Sequence, residues 1–358
     1  MYATSQRTKA TSDEQRNANP RDFSRLRAWL MEGAPPAFRA PEPEPDPEPA
    51  AEVKLTKAQA VLHLAQRIDR KAFGAPDPVG VLAIAAEIYL CLAACAAVLA
   101  WVYSAGGWLP CLLAWFPCAL VCARSLRGME LMVHDASHGT FARGPAFAHR
   151  LNDLVGDVLF AIPVIQEVGA YRTTHTIHHR AYGSDTDPCL IRRVPSVLGA
   201  AGRRGVRGWV PVLLRELPRY TLEYYVEAGM RPAALVKAAL WHGTLIAVLA
   251  VFVGAGPALL LWAATVALPF ILILPPLRAI AEAEEHDWAH ADQSDYRSTY
   301  NNLGAVHRLL IHPFNDAYHL VHHLFGEVPT TRLGRLHRAL RDDPVYRKGL
   351  SRTRILAP

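Results

Sequence analysis

Four long apolar runs constrain this chain more than any other feature: Val81 to Tyr103, Trp108 to Ala123, Leu235 to Val253 and Pro257 to Leu277. The first is long enough, as a helix, to cross the roughly 30 Å of hydrocarbon in a bilayer. The second is short to span alone and is expected to continue as a helix through Glu130 and out of the membrane. Ser104 to Gly107 separates the first two runs and Gly254 to Gly256 the last two, so each pair is expected to form a hairpin. Neither turn contains Lys or Arg; the N-terminal tail, the middle segment and the C-terminal region carry nearly all of them. The positive-inside rule places those three parts, and both termini, in the cytoplasm. The expected fold is an all-α integral membrane protein, with about four transmembrane helices in two hairpins and a cytoplasmic helical cap.

The rest of the chain divides around these runs. Residues 1–54 are polar, and Pro41 to Pro49 alternates proline with acid. Such a stretch can neither form a helix nor bury a core, so it reads as a disordered spacer. Residues 55–72 mix leucines with basic residues at helical spacing, which predicts, within an interfacial segment 55–78, an amphipathic helix along the membrane surface or against the cytoplasmic domain. Residues 79–345 hold the membrane domain, and 346–358 form a C-terminal tail. Phe160 to Ile165 is apolar but too short to cross, and reads as an interfacial or re-entrant piece. The N-terminus has no signal-peptide core, so the first run is expected to act as the insertion signal.

Of six cysteines, Cys91, Cys95, Cys111, Cys118 and Cys122 lie in apolar runs, and Cys189 lies outside them. They read as packing residues without disulfides. The net charge of +6 is modest and no nucleic-acid motif accompanies it. Arg192, Arg193, Arg203, Arg204 and Arg207 form a basic stretch suited to solvent, anionic lipid or an acidic redox partner. The high Ala and Arg content points to a bacterial source, hence an inner membrane.

Three histidine boxes carry the chemistry. They read His134-Asp135-Ala136-Ser137-His138, His175-Thr176-Ile177-His178-His179 and His319-Leu320-Val321-His322-His323. On a helix, residues three and four apart share a face, so each box aims two or three ring nitrogens at one region. Eight imidazoles exceed the four ligands of a tetrahedral zinc and suit a pair of metal ions. Neutral imidazole serves iron and zinc alike, so spacing alone does not choose between them. Among the other histidines, His63 reads as a surface residue and His242 as a packed or hydrogen-bonded one. His149, His307, His312 and His337 lack box spacing and are assigned no role. Glu87, inside the first run, is either a functional acid or an interfacial one.

The boxes resemble those of the membrane fatty acid desaturase family, whose fold carries a histidine-bound di-iron centre. HDASHGTF, RLNDLVGD and YRTTHTIHHRAYGSDTDP are similar to family segments in the same order. RAIAEAEEH near Arg278 and NDAYHLVHHLFGEVPTTRLGRLH near the end resemble two more, and the likeness covers roughly residues 80–340. The resemblance implies that His134, His138, His175, His178, His179, His319, His322 and His323 hold two iron ions. It also implies a ninth ligand after the last membrane helix, here His286, with His290 as the alternative. Asp135, Asp185, Asp187, Glu282 and Asp316 are candidate acceptors for the second ring N–H of a ligand histidine. Asn315 matches an asparagine that precedes the last box in the family. Val321 stands where the family often has Glu, and Gly326 where it often has Pro.

The activity implied is an O2-dependent double-bond insertion into a fatty acyl chain, lipid-linked or as a thioester. HDASHGT also resembles carotenoid ketolases, so a hydroxylase or ketolase acting on an alkyl chain or a carotenoid is the alternative. The chain has no haem-attachment, dinucleotide or iron–sulfur motif, so a ferredoxin, rubredoxin or cytochrome-type partner is expected to bring electrons. A non-enzymatic membrane metal-binding protein would line its spans with ligands, and only Glu87, Lys237 and His242 qualify.

Overall fold

The structure, a computed structural model, describes residues 55–191, 198, 206–227, 231–288 and 296–350. These belong to one unit, Glu52–Pro358. The proline–acid tail, Arg192, Arg193, Arg203, Arg204 and His290 lie outside the described residues.

The stretch expected to be one amphipathic helix is two: α1 (Lys57–Ala65) and α2 (Arg70–Gly74). Thr56 caps α1 in a reciprocal capping box with Gln59, and Asp69 restarts the helix by accepting from Ala72 N at 3.0 Å. Ala60 and Leu64 pack into a buried cluster with Leu320, Leu336 and Tyr346. Ala60 and Leu64 of α1 thus face protein, whereas Leu62 is exposed.

Among the described residues, four helices are long and apolar enough to cross a membrane: α3 (Pro78–Gly106), α4 (Trp108–Ser137), α9 (Pro232–Val253) and α10 (Ala255–Glu285). Before α9 come α5 (Ala146–Gly156), α6 (Val168–Ala181), α7 (Pro188–Ile191) and α8 (Val206–Glu227). The short second run does continue, in a helix of 30 residues, through Glu130 to the first box. Helices α3 and α4 are antiparallel: Glu87 pairs with Arg124 at 3.1 Å, and the Cys95 thiol reaches Cys118 O at 3.7 Å. Gly107 joins them at φ 75°, a conformation that suits glycine. Trp101, Tyr103 and Trp108 are exposed around that turn, an arrangement typical of the membrane–water boundary. Leu113, Phe116, Phe252, Leu260 and Ile271 are exposed along the helices, as lipid-facing side chains are.

α10 contains two π-helical stretches, Ala263–Ala267 and Pro269–Ile273, ahead of its last, regular segment. Trp115 Nε1 donates to Ala264 O at 3.0 Å and ties the two helix pairs together. His242 is hydrogen-bonded, as expected: it contacts Pro163 O at 3.0 Å through Nε2 and accepts from Trp262 Nε1 at 3.1 Å through Nδ1.

The apolar piece near Phe160 sits at a sharp bend. The segment Ala146–Val164 meets α6 at 89°, with Ile165 at φ 60° between them. Phe160, Ala161 and Val164 are buried, whereas Phe147, Leu151 and Leu154 form an exposed stripe on α5. The chain closes with α11 (His319–Leu324), α12 (Thr330–Leu340) and α13 (Pro344–Leu350). Tyr346 of α13 is fully buried and accepts from Asn301 Nδ2 at 3.0 Å, so the packed structure runs beyond residue 345.

Candidate metal centre

Helix geometry sorts the histidines. His134 and His138 end α4, His175, His178 and His179 lie on α6, and His319, His322 and His323 lie on α11. His286 follows α10 in extended conformation, pinned by an antiparallel bridge to Thr299. These nine residues form two groups, each able to hold a metal ion. One comprises His134, His138, His175, His179 and His322; the other His178, His286, His319 and His323. Every i,i+4 pair (134/138, 175/179, 319/323) stays within one group, and the odd histidine of boxes two and three crosses to the other. His290, the alternative ninth ligand, lies outside the described residues.

The nitrogens are arranged for a cation. The Nε2 atoms of His138, His175, His179 and His322 form a row, spaced 2.9, 3.0 and 3.0 Å. His319 and His286 bring theirs to 3.1 Å. An imidazole nitrogen offers one in-plane direction, for a proton or a lone pair. His175 and His179 each face two nitrogens, so hydrogen bonds cannot satisfy the whole row. A cation where the lone pairs meet can. At bond lengths of about 2.0–2.1 Å, right-angled ligand nitrogens would lie about 3.0 Å apart. Both ring nitrogens of His134, and Nε2 of His323, are buried without a hydrogen-bond partner among the described residues.

Protonation fits as well, because a ligand imidazole must be neutral. Burial pushes His138 and His319 down to about 4. His286, His322 and His323 are also held well below the ordinary value, first by burial and then by neighbouring histidines.

Two acceptors orient rings from behind. Asp187, fully buried, lies 3.0 Å from His178 Nδ1 and accepts from Gly183 N at 2.9 Å and Cys189 N at 3.0 Å. Burial pushes the Asp187 carboxyl up, but these bonds outweigh it and leave it below its ordinary value. Thr299 Oγ1 lies 3.2 Å from His286 Nδ1. Each contact leaves Nε2 free to face a metal ion.

The other candidate acceptors have different partners. Asp135 accepts from Thr330 N at 3.1 Å and so braces the segment after the last box. Asn315, at φ 73°, donates to Thr330 O at 3.1 Å. Asp316 pairs with Arg127 at 2.9 Å. Glu282 lines a cavity and its carbonyl accepts from Trp288 Nε1 at 2.8 Å. Asp185 is exposed. Val321 is buried in the apolar cluster around Leu64, so the usual acidic position is here a packing site. A Cβ on Gly326 would lie 3.3 Å from the His138 ring, so the glycine permits a close approach.

Several residues of the site carry no ligand spacing; Arg278 and Glu285 lie in the RAIAEAEEH segment, which singled out only Glu282 and His286. Arg278 pairs with Glu130 and stacks over Tyr224, 3.7 Å from the ring centroid. Glu285 lies 3.5 Å from His312 and 3.7 Å from His319, and His312 meets His307 at 3.1 Å. One signal was present: Arg127 and Glu130 precede His134 by seven and four residues, on the same face of α4. Beside them lies a cavity of about 60 Å³, lined by His134 and His175 of the first group and His178 and His319 of the second. The candidate ligands suggested for a membrane metal carrier are each paired: Glu87 with Arg124, Lys237 with Glu167, His242 with Pro163 and Trp262.

The family model described as Fatty acid desaturase matches residues 106–354, well over half of the chain. No curated protein and no solved structure matched the chain. The chain belongs to the fatty acid desaturase family.

Proposed function

We propose that this member of the fatty acid desaturase family is an O2-dependent membrane desaturase that inserts a double bond into a fatty acyl chain, lipid-linked or as a thioester. The observation that carries the reading is the convergence of nine histidines into two metal-competent groups beside one cavity. Two iron ions bound there would supply the O2 activation needed to take hydrogen from an unactivated C–H bond. Overall, a saturated pair of carbons, O2, two electrons and two protons give the alkene and two waters.

The chain's own residues set the stage. Burial keeps the imidazoles of His138, His286, His319, His322 and His323 neutral, Asp187 and Thr299 fix two ring orientations, and the packed helices hold water away from the reacting carbon. We place this centre, and both termini, on the cytoplasmic side, because the turns at Gly107 and Gly254 carry no basic residue. The electrons come from a ferredoxin, rubredoxin or cytochrome-type donor docked on the basic middle segment. Charge reversal at Arg203 and Arg204 is expected to slow electron transfer and weaken its salt dependence. Unchanged rates would remove that docking site.

The decisive experiment is a mass-spectrometric lipid profile of cells expressing the protein, against cells expressing His178→Ala. A product lighter by two hydrogens, found with the intact protein alone, is the expected result. A product heavier by one oxygen would establish the hydroxylase or ketolase reading that HDASHGT supports. Purified protein should hold about two irons, matching its two histidine groups, and protein without metal would overturn the enzyme reading.

A further inference from the structure

The cavity between the histidine groups is not a plain hydrocarbon slot. Two buried guanidiniums, Arg127 and Arg278, stand in its wall beside Glu130 and Asp316. Each is already neutralised: Arg278 by Glu130, and Arg127 by Asp316 at 2.9 Å. Yet, among the described residues, each keeps one buried donor without an acceptor, Nη1 of Arg278 and Nε of Arg127. Arg278 is 1% exposed and Arg127 9%. Native proteins rarely leave buried donors unpaired.

We propose that this cavity receives a neutral oxygen of the substrate, a hydroxyl or carbonyl carried near the reacting carbons. The proposal rests on the reading above that an alkyl-bearing substrate reaches the histidine groups. The charges choose the class of ligand. Because both guanidiniums are ion-paired, what they have left to offer is a hydrogen bond rather than a net charge. That matches a hydroxyl or carbonyl better than a carboxylate or phosphate. The position matches as well, since four of the candidate metal ligands share the same wall. Leu131 and the rings of Tyr171 and Tyr224 complete an apolar surface along which adjacent methylenes can lie. About 60 Å³ admits a small group of atoms, and a hydroxyl or carbonyl is of that size. An oxygen anchored on Arg278 would fix which carbons face the metals, so the same residue would set the site of reaction.

The test is equilibrium binding to the purified, iron-loaded protein in detergent. The probes are methyl octadecanoate and a series of methyl hydroxyoctadecanoates with the hydroxyl at successive carbons. At least one hydroxy isomer is expected to bind on the order of ten-fold more tightly than the plain ester. That advantage should vanish in Arg278→Lys, which retains a cation for Glu130 but loses the second arm of the guanidinium. Arg127→Lys is the second variant, and melting temperature and iron content show that each variant is folded and loaded. Equal binding of every ester overturns the proposal and leaves the desaturase reading intact. So does a hydroxyl preference that survives in both variants. A protein that binds none of the esters overturns the alkyl-substrate reading, and this proposal with it.

Discussion

Asp187→Asn is the sharpest probe of the four-histidine group, because the structure specifies which bond it weakens. The carboxylate accepts three bonds: Oδ1 faces His178 Nδ1 and Cys189 N at 3.0 Å each, and Oδ2 accepts from Gly183 N at 2.9 Å. An asparagine has one acceptor oxygen. Placing that oxygen at the Oδ1 position keeps His178 and Cys189 but turns an NH2 toward the amide of Gly183. The unpaired amide should then cost about 1–3 kcal/mol of stability. At His178, a charge-assisted bond of about 1.5–3 kcal/mol becomes a neutral one of about 0.5–1.5 kcal/mol. The net loss of about 1 kcal/mol lowers metal affinity roughly five-fold, just below the usual range for residues that orient a ligand.

The assay is chelator competition on iron-loaded protein. At a chelator concentration where the wild type keeps both irons, Asp187→Asn should keep the metal of His134, His138, His175, His179 and His322 and lose much of the other. Thr299→Val, which removes the acceptor behind His286, should act on the same group. If both variants hold iron as tightly as the wild type, the orienting role is wrong. If the five-histidine group loses its metal first, the assignment of ligands to groups is wrong.

Gly326→Ala places a methyl 3.3 Å from the His138 ring and should displace it, lowering metal retention by the five-histidine group while sparing the other in the same assay. Metal-free protein should lose stability as pH falls from 6.5 toward about 4. In that window His138 and His319, held down by burial, stay unprotonated in the fold while the unfolded chain takes up protons. A melting temperature that is flat between pH 7.5 and 5 would sink that account. The Asp187 carboxyl, depressed in the fold, supports stability above its ordinary value and loses it only as pH falls through the depressed one. Leu64→Ala should cost about 2–5 kcal/mol, measured by thermal or denaturant unfolding, because the side chain is fully buried against the C-terminal helices. A surface-lying α1 would instead show almost no effect.

What could be read from sequence follows from how local each constraint is. The spans were legible because lipid leaves an apolar run of that length little choice but helix. The boxes were legible because i,i+4 spacing survives in any helix. Thr299 was not, because it reaches His286 through a bridge across 13 residues that no periodicity encodes. The pairing of Arg278 with Glu130 was not, because a charge in a helix looks the same in sequence whether it faces solvent or pairs in a core. Here they are 148 residues apart and both nearly fully buried. His312 showed no spacing signal; its contact with Glu285 depends on how α10 meets the segment before the last box.

The division of the boxes explains why three are needed. Box one feeds a single group, whereas boxes two and three each feed both. Their adjacent histidines, His178/His179 and His322/His323, diverge by a helix's 100° per residue and hold their ring centroids 5.8 Å apart in each case. Two helices that straddle both groups in the same way fix the spacing between the groups by backbone geometry, independently of any metal. His134 and His138 then complete one group and His286 the other, each from the end of a long apolar helix. Spacing is therefore set by α6 and α11, and position relative to the spans by α4 and α10. The separation of the two groups is thus a property of the fold, set before any ligand binds.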